Sequence, residues 1–372
     1  MRLAATCNFG LSSVLKNEIQ KLGCYVIEST ERFIRFEGDF RTVAQANLRL
    51  RTANRVYIEV TEGPARTFDE LFEVVRKGEW KRILPVGNPV AVRAVAEKSA
   101  LDSLPSIQKT VKKAIVDGYT GRPGGIMPED PDMPEISVLT LIREDRAILL
   151  LDTSGDPLHK RGYRVSGVEA PIKETLAAGL VLLSNWRFSE PFRDPFCGSG
   201  TIAIEAAMIA KNVAPGILRS FAFERFPFAD QIPLDEERAA CRKAEKWDKT
   251  HDIAGSDIDD EAVASARSNA NAMGLGDSVR FEVAAFPGKE TPSKGTLVSN
   301  PPYGERLADK NAAHQAHKDL FDAFRKAPEL TGGIITALEG IEGMADGLGM
   351  KNRKIPNGSI PCRYYFRTPN RG

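Results

Sequence analysis

Apolar residues recur at helical spacing from Leu11 to Leu22, where Leu11, Val14, Leu15, Ile19 and Leu22 share one face and Gly23 marks the end. The next stretch, Arg32-Phe33-Ile34-Arg35-Phe36-Glu37-Gly38, alternates polar and apolar as a half-buried strand does. Asp39 can cap a helix over residues 40–50, and Val56 to Val60 reads as another strand. Beyond residue 60 the two periods predict helices over Phe68–Val75 and Ile107–Val116 and a strand over Pro89–Ala96. Ile136–Ile142 and Ala147–Leu151 read as a hairpin, and Gly121–Pro134, rich in Gly, Pro and acids, as a surface loop. From Pro171 onward longer helices, Ile172–Asn185, Ile202–Ala210 and Ala262–Met273, separate short apolar strands such as Thr296–Val298. That order predicts an α/β carboxyl-terminal region behind an α+β front. The expected divisions are 1–60, 61–155 and 156–372.

The 372 residues suffice for about two or three domains. No apolar run reaches the ~18 residues of a membrane span, and the amino terminus lacks a signal peptide's apolar core. Cys7, Cys24, Cys197, Cys241 and Cys362 are scattered and odd in number, which suggests reduced thiols in the cytoplasm and neither zinc nor a disulfide frame. His314 and His317 have helical ligand spacing without an obvious third ligand, and read as exposed and metal-free. The net charge of +1 hides a basic front half and a slightly acidic remainder. A nucleic-acid-gripping module joined to an enzyme fits this split; a solvated helix face explains it nearly as well.

The chemistry centres on Ser299-Asn300-Pro301-Pro302-Tyr303-Gly304-Glu305-Arg306, at the carboxyl end of a predicted strand. Two prolines remove two backbone donors and hold the chain extended. The Asn300 amide, the neighbouring carbonyls and the Tyr303 ring remain on show. Acceptors below an aromatic face suit a planar group bearing an exocyclic amine, although Asn, Pro and Gly also make ordinary turns.

Arg193-Asp194-Pro195-Phe196-Cys197-Gly198-Ser199-Gly200-Thr201 precedes a helix, and Gly198-x-Gly200-x-x-Ala203 fits a nucleotide-binding turn. Asp194 would repel a pyrophosphate but welcome an ammonium. Asp257, the next acid to end a strand, comes far later than the roughly 20 residues of a dinucleotide site. The ligand is therefore better read as adenosine joined to an amino acid, a description that S-adenosylmethionine meets. Asp257 would accept the ribose hydroxyls and Ile258 would pack the adenine. Asp259 or Asp260 is left to cap the following helix.

Ala96–Ser99 and Leu104–Lys109 resemble a THUMP domain, an RNA-binding module. Asp194–Thr201 with Asn300–Arg306 looks like the class I RNA methyltransferases that carry such a domain. Closest are those methylating the exocyclic N2 of guanine in large-subunit ribosomal RNA. Leu158–Arg164, Ala170–Ala177 and Asn357–Cys362 resemble the same family. The resemblance implies a Rossmann-like domain with a mostly parallel seven-stranded sheet, preceded by a ferredoxin-like/THUMP region. It also implies S-adenosylmethionine as donor and RNA, 23S rRNA or an assembly intermediate, as acceptor. The cofactor set would be Thr175, Asp194, Pro195, Phe196, Cys197, Gly198, Ser199, Gly200, Thr201, Asp257, Ile258, Ala285 and Asn300. Asn300, Pro301, Pro302 and Tyr303 would be catalytic. Arg93, Lys98, Lys109, Lys112, Lys113, Lys160, Arg161, Arg164 and Arg306 would meet RNA. This chain has Ala285 where the family usually places an aspartate against the adenine. Adenine-N6 transfer, glutamine-N5 transfer to protein, and a non-catalytic ribosome-assembly role are the competing readings.

Overall fold

A computed structural model describes residues 1–164, 172–288, 293–304 and 310–369. The chain opens with β1 (Arg2–Cys7), α1 (Ser12–Lys21), β2 (Val26–Ser29), β3 (Phe33–Glu37), α2 (Phe40–Arg49) and β4 (Ala53–Pro64). Next come α3 (Phe68–Arg76), α4 (Trp80–Ile83), β5 (Val90–Glu97), α5 (Leu104–Thr120), β6 (Ile136–Arg143) and β7 (Arg146–Asp152). Asp39 caps α2 through the Thr42 N–H at 2.8 Å, and the Thr42 hydroxyl accepts from the Asp39 N–H, a reciprocal capping box. These strands form one sheet in the order β2-β3-β1-β4-β7-β6-β5, antiparallel except between β5 and β6. The long β4 joins its two parts, pairing Leu3 with Ile58 on one edge and Asp152 with Tyr57 on the other.

The second half contains α6 (Glu174–Ser184), β8 (Phe192–Asp194), α7 (Thr201–Ala210), α8 (Leu234–Lys243), β9 (Ile253–Asp257) and α9 (Asp260–Ala272). It continues with β10 (Arg280–Val283), β11 (Lys294–Ser299), α10 (Lys310–Lys326), β12 (Glu329–Thr336), α11 (Glu342–Ala345), β13 (Lys351–Lys354) and β14 (Arg363–Arg367). Its sheet runs β10-β9-β8-β11-β12-β14-β13. The first five strands are parallel, and β14 is antiparallel to both neighbours. From Gly295 to Ser299 every residue of β11 is buried, because helices cover both faces of a parallel sheet. This is the mostly parallel seven-stranded α/β sheet that the sequence led us to expect.

One apolar core runs through both halves and includes Leu11, Val56, Leu176, Leu180 and Tyr364. Polar clasps reinforce it. Arg41 and Arg49 both pair with Glu237 of α8, at 2.6 and 2.9 Å, and Arg353 donates to the Gly10 carbonyl at 3.0 Å. Phe221, Phe223, Phe226 and Phe228 are buried, so the segment between α7 and α8 seats on the core.

His317 corrects one expectation. It is buried, with Nδ1 2.7 Å from the Ala313 carbonyl and Nε2 2.7 Å from the Thr336 hydroxyl. Burial holds it below its usual pKa, so a neutral ring donates at Nδ1 and accepts at Nε2. Among the described residues no cluster of three or more His, Cys, Asp or Glu could hold a metal, and no helix is long and apolar enough to cross a membrane.

Candidate active site

Strands β8 and β11 are neighbours, and successive strands then run outward in opposite directions, to β9 and β10 on one side and to β12 on the other. Parallel sheets open a crevice at such a point, beyond the strands' carboxyl ends. Asp194 ends β8, Ser299 ends β11, and Ser299 Oγ donates to Asp194 Oδ1 at 2.8 Å. The other oxygen, Asp194 Oδ2, is buried without a partner among the described residues. Burial pushes this carboxyl up to about 7 and Asp257 adds to the rise, while Ser299 and the Phe196 N–H oppose it. A buried carboxylate with one open oxygen suits an ammonium, whose charge would draw its pKa back down.

The loop after β8 turns tightly. The Cys197 N–H bonds the Ser256 carbonyl at 2.9 Å, and the Gly200 N–H bonds the Cys197 carbonyl at 2.8 Å. Gly198 and Gly200 take φ of +50° and +81°, a region that costs other residues energy. A Cβ on Gly200 would lie 2.8 Å from Phe281 and 2.9 Å from Ala266, so packing also demands glycine there. A Cβ on Gly198 would meet nothing within 4 Å, which leaves room for a ligand to approach the backbone. Asn269 of α9 supports the loop from below by donating to the Ser199 carbonyl at 3.0 Å.

Asp257 braces the same turn. Its Oδ2 accepts from the Gly198 N–H at 2.9 Å and its Oδ1 from the Asp259 N–H at 3.1 Å. Asp259 caps α9 through the Glu261 and Ala262 N–H groups, so Asp257 keeps its remaining lone pairs for a ligand. Ile258 beside it is 77 % exposed, a large apolar surface open to a flat partner. The Ala284 N–H bonds the Asp257 carbonyl at 2.8 Å, which brings exposed Ala285 to this end of the sheet. Phe196 and Phe286 meet edge to face at 5.9 Å.

Asn300 follows β11 directly, with Pro301 buried and Pro302 exposed. The Tyr303 hydroxyl donates to Asn300 Oδ1, and Cys362 Sγ lies 3.7 Å from the same hydroxyl. Burial pushes the Tyr303 phenol far up, so it stays a neutral donor. The Cys362 contact was missed from sequence. Asn357–Cys362 showed a family likeness, but nothing local linked it to a tyrosine 59 positions away.

Other expected site residues have surroundings of their own. Thr175 is fully buried and its hydroxyl donates to Asn54 of β4 at 3.2 Å, so it ties α6 to the first sheet. Arg161, expected at an RNA surface, is 2 % exposed and pairs with fully buried Glu205 at 3.1 Å. Arg164 turns inward to Glu174 at 2.9 Å and to the Ser199 and Thr201 hydroxyls, bracing the glycine loop. Lys112 is taken by Glu129 and the Val90 carbonyl, and exposed Lys160 pairs with Asp156 at 3.0 Å. Lys98, Lys109 and Lys113 are exposed, Lys113 lying 5.6 Å over the Phe72 ring. Arg93 is exposed too, but Val92, Ala94 and Ala96 of the same strand pack on the core, so Arg93 faces away from α5 and its lysines. Arg306 lies outside the described residues.

Residues 161–365 match the model of the RMKL-like methyltransferase domain, and residues 2–57 match that of the RlmL ferredoxin-like domain. YpsC of Bacillus subtilis, named as a candidate RNA methyltransferase, is 39% identical over 367 residues, covering 98% of this chain and 94% of that one. The crystal structure of SMU.472, a candidate methyltransferase complexed with SAH, is 39% identical with a TM-score of 0.86, covering 100% of this chain and 98% of that one. A Listeria monocytogenes protein assigned by prediction as an N6-adenine-specific DNA methylase is 37% identical with a TM-score of 0.87, covering 99% of this chain and 96% of that one.

Proposed function

The chain belongs to the RMKL-like methyltransferase family, and from that premise we propose that it methylates the exocyclic N2 of a guanine in RNA, using S-adenosylmethionine. Large-subunit ribosomal RNA, free or in an assembly intermediate, is the proposed acceptor. The observation that carries this reading is the Asp194–Ser299 bond at the switch point. It sets a carboxylate suited to the donor's ammonium beside the Asn300 loop suited to the acceptor's amine.

S-adenosylmethionine, when bound, supplies a methyl group on a positively charged sulfur. Asp194 holds the ammonium, the open backbone at Gly198 admits the methionine portion, Asp257 accepts the ribose hydroxyls, and Ile258 packs the adenine. Ala285 offers backbone groups only. The acceptor amine is a weak nucleophile because its lone pair is delocalised into the ring. Asn300 Oδ1 has two lone pairs, of which Tyr303 uses one. The second, together with the Pro301 carbonyl, accepts the amine's N–H groups and draws the nitrogen lone pair out of the ring as the methyl arrives. The tethered Tyr303 ring stacks on the extruded base. Methylation makes the amine's proton acidic, so it leaves without a side-chain base. Residues 61–155 serve as a THUMP-like RNA-binding region, with exposed Lys98, Lys109 and Lys113 as phosphate contacts.

A second reading, transfer to adenine N6, is favoured by the 37% identity to the Listeria protein, since Asn300 could cradle either amine. Incubation with methyl-labelled S-adenosylmethionine and unmodified large-subunit rRNA, followed by mapping of the labelled base, tests both. Label on guanine N2 is expected, label on adenine N6 selects the second reading, and no label overturns both.

A further inference from the structure

A groove of about 850 Å³ runs between the first sheet's loops and the second sheet where β12 ends and β14 begins. It is within the size range of ordinary ligand sites. Its floor includes Cys362, whose sulfur lies 3.7 Å from the Tyr303 hydroxyl, so the groove opens directly beside the Asn300 loop. One wall carries Phe9 and Arg32, the guanidinium centred 5.6 Å from the ring. Lys354, at the end of β13, completes that wall. Arg32 and Lys354 are exposed and pair with no carboxylate among the described residues. Glu339 and Glu342 also line the groove. They follow β12, whereas Lys354 ends β13, and β14 lies between those strands. Arg363, which begins β14, also lines the groove between the acids and Lys354.

We propose that this groove binds the nucleotide adjoining the methylated one in a single-stranded stretch of the acceptor RNA, which makes the amino-terminal region part of the acceptor site. The inference rests on the RNA methyltransferase reading. Arg32 and Lys354 each meet a phosphate, and the Phe9 ring with the Arg32 guanidinium offers a stacking face for an unpaired base. The Glu339 and Glu342 carboxylates accept from base amines or ring N–H groups. The clasp between Arg353 and the Gly10 carbonyl at 3.0 Å holds the basic wall against the catalytic half.

Filter retention of labelled, unmodified large-subunit rRNA across a salt series tests the assignment on the full-length chain. R32E/K354E is expected to weaken retention at least tenfold. It should also flatten the salt slope by roughly 1.4, or about 0.7 per lost single-strand phosphate contact. S-adenosylhomocysteine affinity should stay unchanged, because neither residue touches the glycine loop. Phe9→Ala is expected to raise the RNA KM more than it lowers kcat. Unchanged retention and slope in R32E/K354E overturn the groove while leaving methyl transfer by the parent intact. Absence of methyl transfer by a parent protein that still shows the charge-reversal effect overturns the catalytic reading alone. A parent that retains no RNA, or retains DNA of the same sequence equally well, overturns the assignment to RNA.

Discussion

Replacing Asp194 by Asn should separate stability from ligand binding at a single side chain. Burial pushes this carboxyl from 3.8 up to about 7, so the folded chain holds the proton more tightly than the unfolded one. As pH rises from about 4 to 7 the unfolded chain releases that proton first, and stability falls throughout this window before levelling off above it. The shift spans about three units at about 1.4 kcal/mol each, so the buried carboxylate costs roughly 4 kcal/mol at pH 8 and roughly 2 kcal/mol at pH 5. Asn carries no charge, and its oxygen can still accept from Ser299. Urea unfolding of the ligand-free protein should therefore show D194N more stable than the parent by up to about 4 kcal/mol at pH 8, with about half that advantage at pH 5. Calorimetry with S-adenosylhomocysteine should show the reverse ranking. The free carboxylate is mostly ionised at pH 8 and mostly protonated at pH 6, so parental affinity should fall about tenfold between them. D194N should bind far more weakly and without that pH dependence. A D194N protein no more stable than the parent at pH 8, or one binding with the parental affinity and profile, would refute the reasoning.

Asn300→Ala should lower kcat by roughly 10²–10³-fold, the cost of removing one preorganised transition-state partner, while calorimetric S-adenosylhomocysteine affinity holds; unchanged turnover would sink the amine cradle. Gly200→Ala meets both an unfavourable φ of +81° and contacts under 3 Å, and should destabilise by about 1–3 kcal/mol in urea. Arg161→Met leaves Glu205 buried without its ion-pair partner and should cost about 3–5 kcal/mol, with R161M/E205M recovering most of it. Lower RNA retention by folded R161M, at unchanged stability, would reinstate Arg161 as a surface contact.

Local chemistry was legible where its cause was local. Asp39 and Thr42 cap α2 because they stand three residues apart, and Asp259 caps α9 for the same reason. The turn at Gly198 and Gly200 was readable because positive φ selects glycine within a few residues. Side-chain direction across the fold was not. Lys160 and Arg161 look alike in a basic stretch, yet one is solvated and the other is buried on Glu205, 44 positions ahead. Nothing within the stretch distinguishes them, because the carboxylate that draws Arg161 inward arrives with α7. The pairing of β4 with β7 is likewise a non-local event: it depends on two segments, each of which reads as a strand alone.

The same distinction explains why the amino-terminal region reads as an accessory module in sequence but borders the site in space. Asn54 meets Thr175 at the start of α6, Gly10 meets Arg353 before Lys354, and Phe9 and Arg32 line the groove that reaches Cys362 and hence Tyr303. These contacts are spread over both sheets and tied by a shared core, so one region cannot swing without breaking buried packing. A rigid joint suits a transfer that depends on in-line approach, for which a displacement of about 1 Å can cost 10²-fold in rate. Orientation of the acceptor strand is then set by the fold itself, and the Asn300 loop has only to hold the amine.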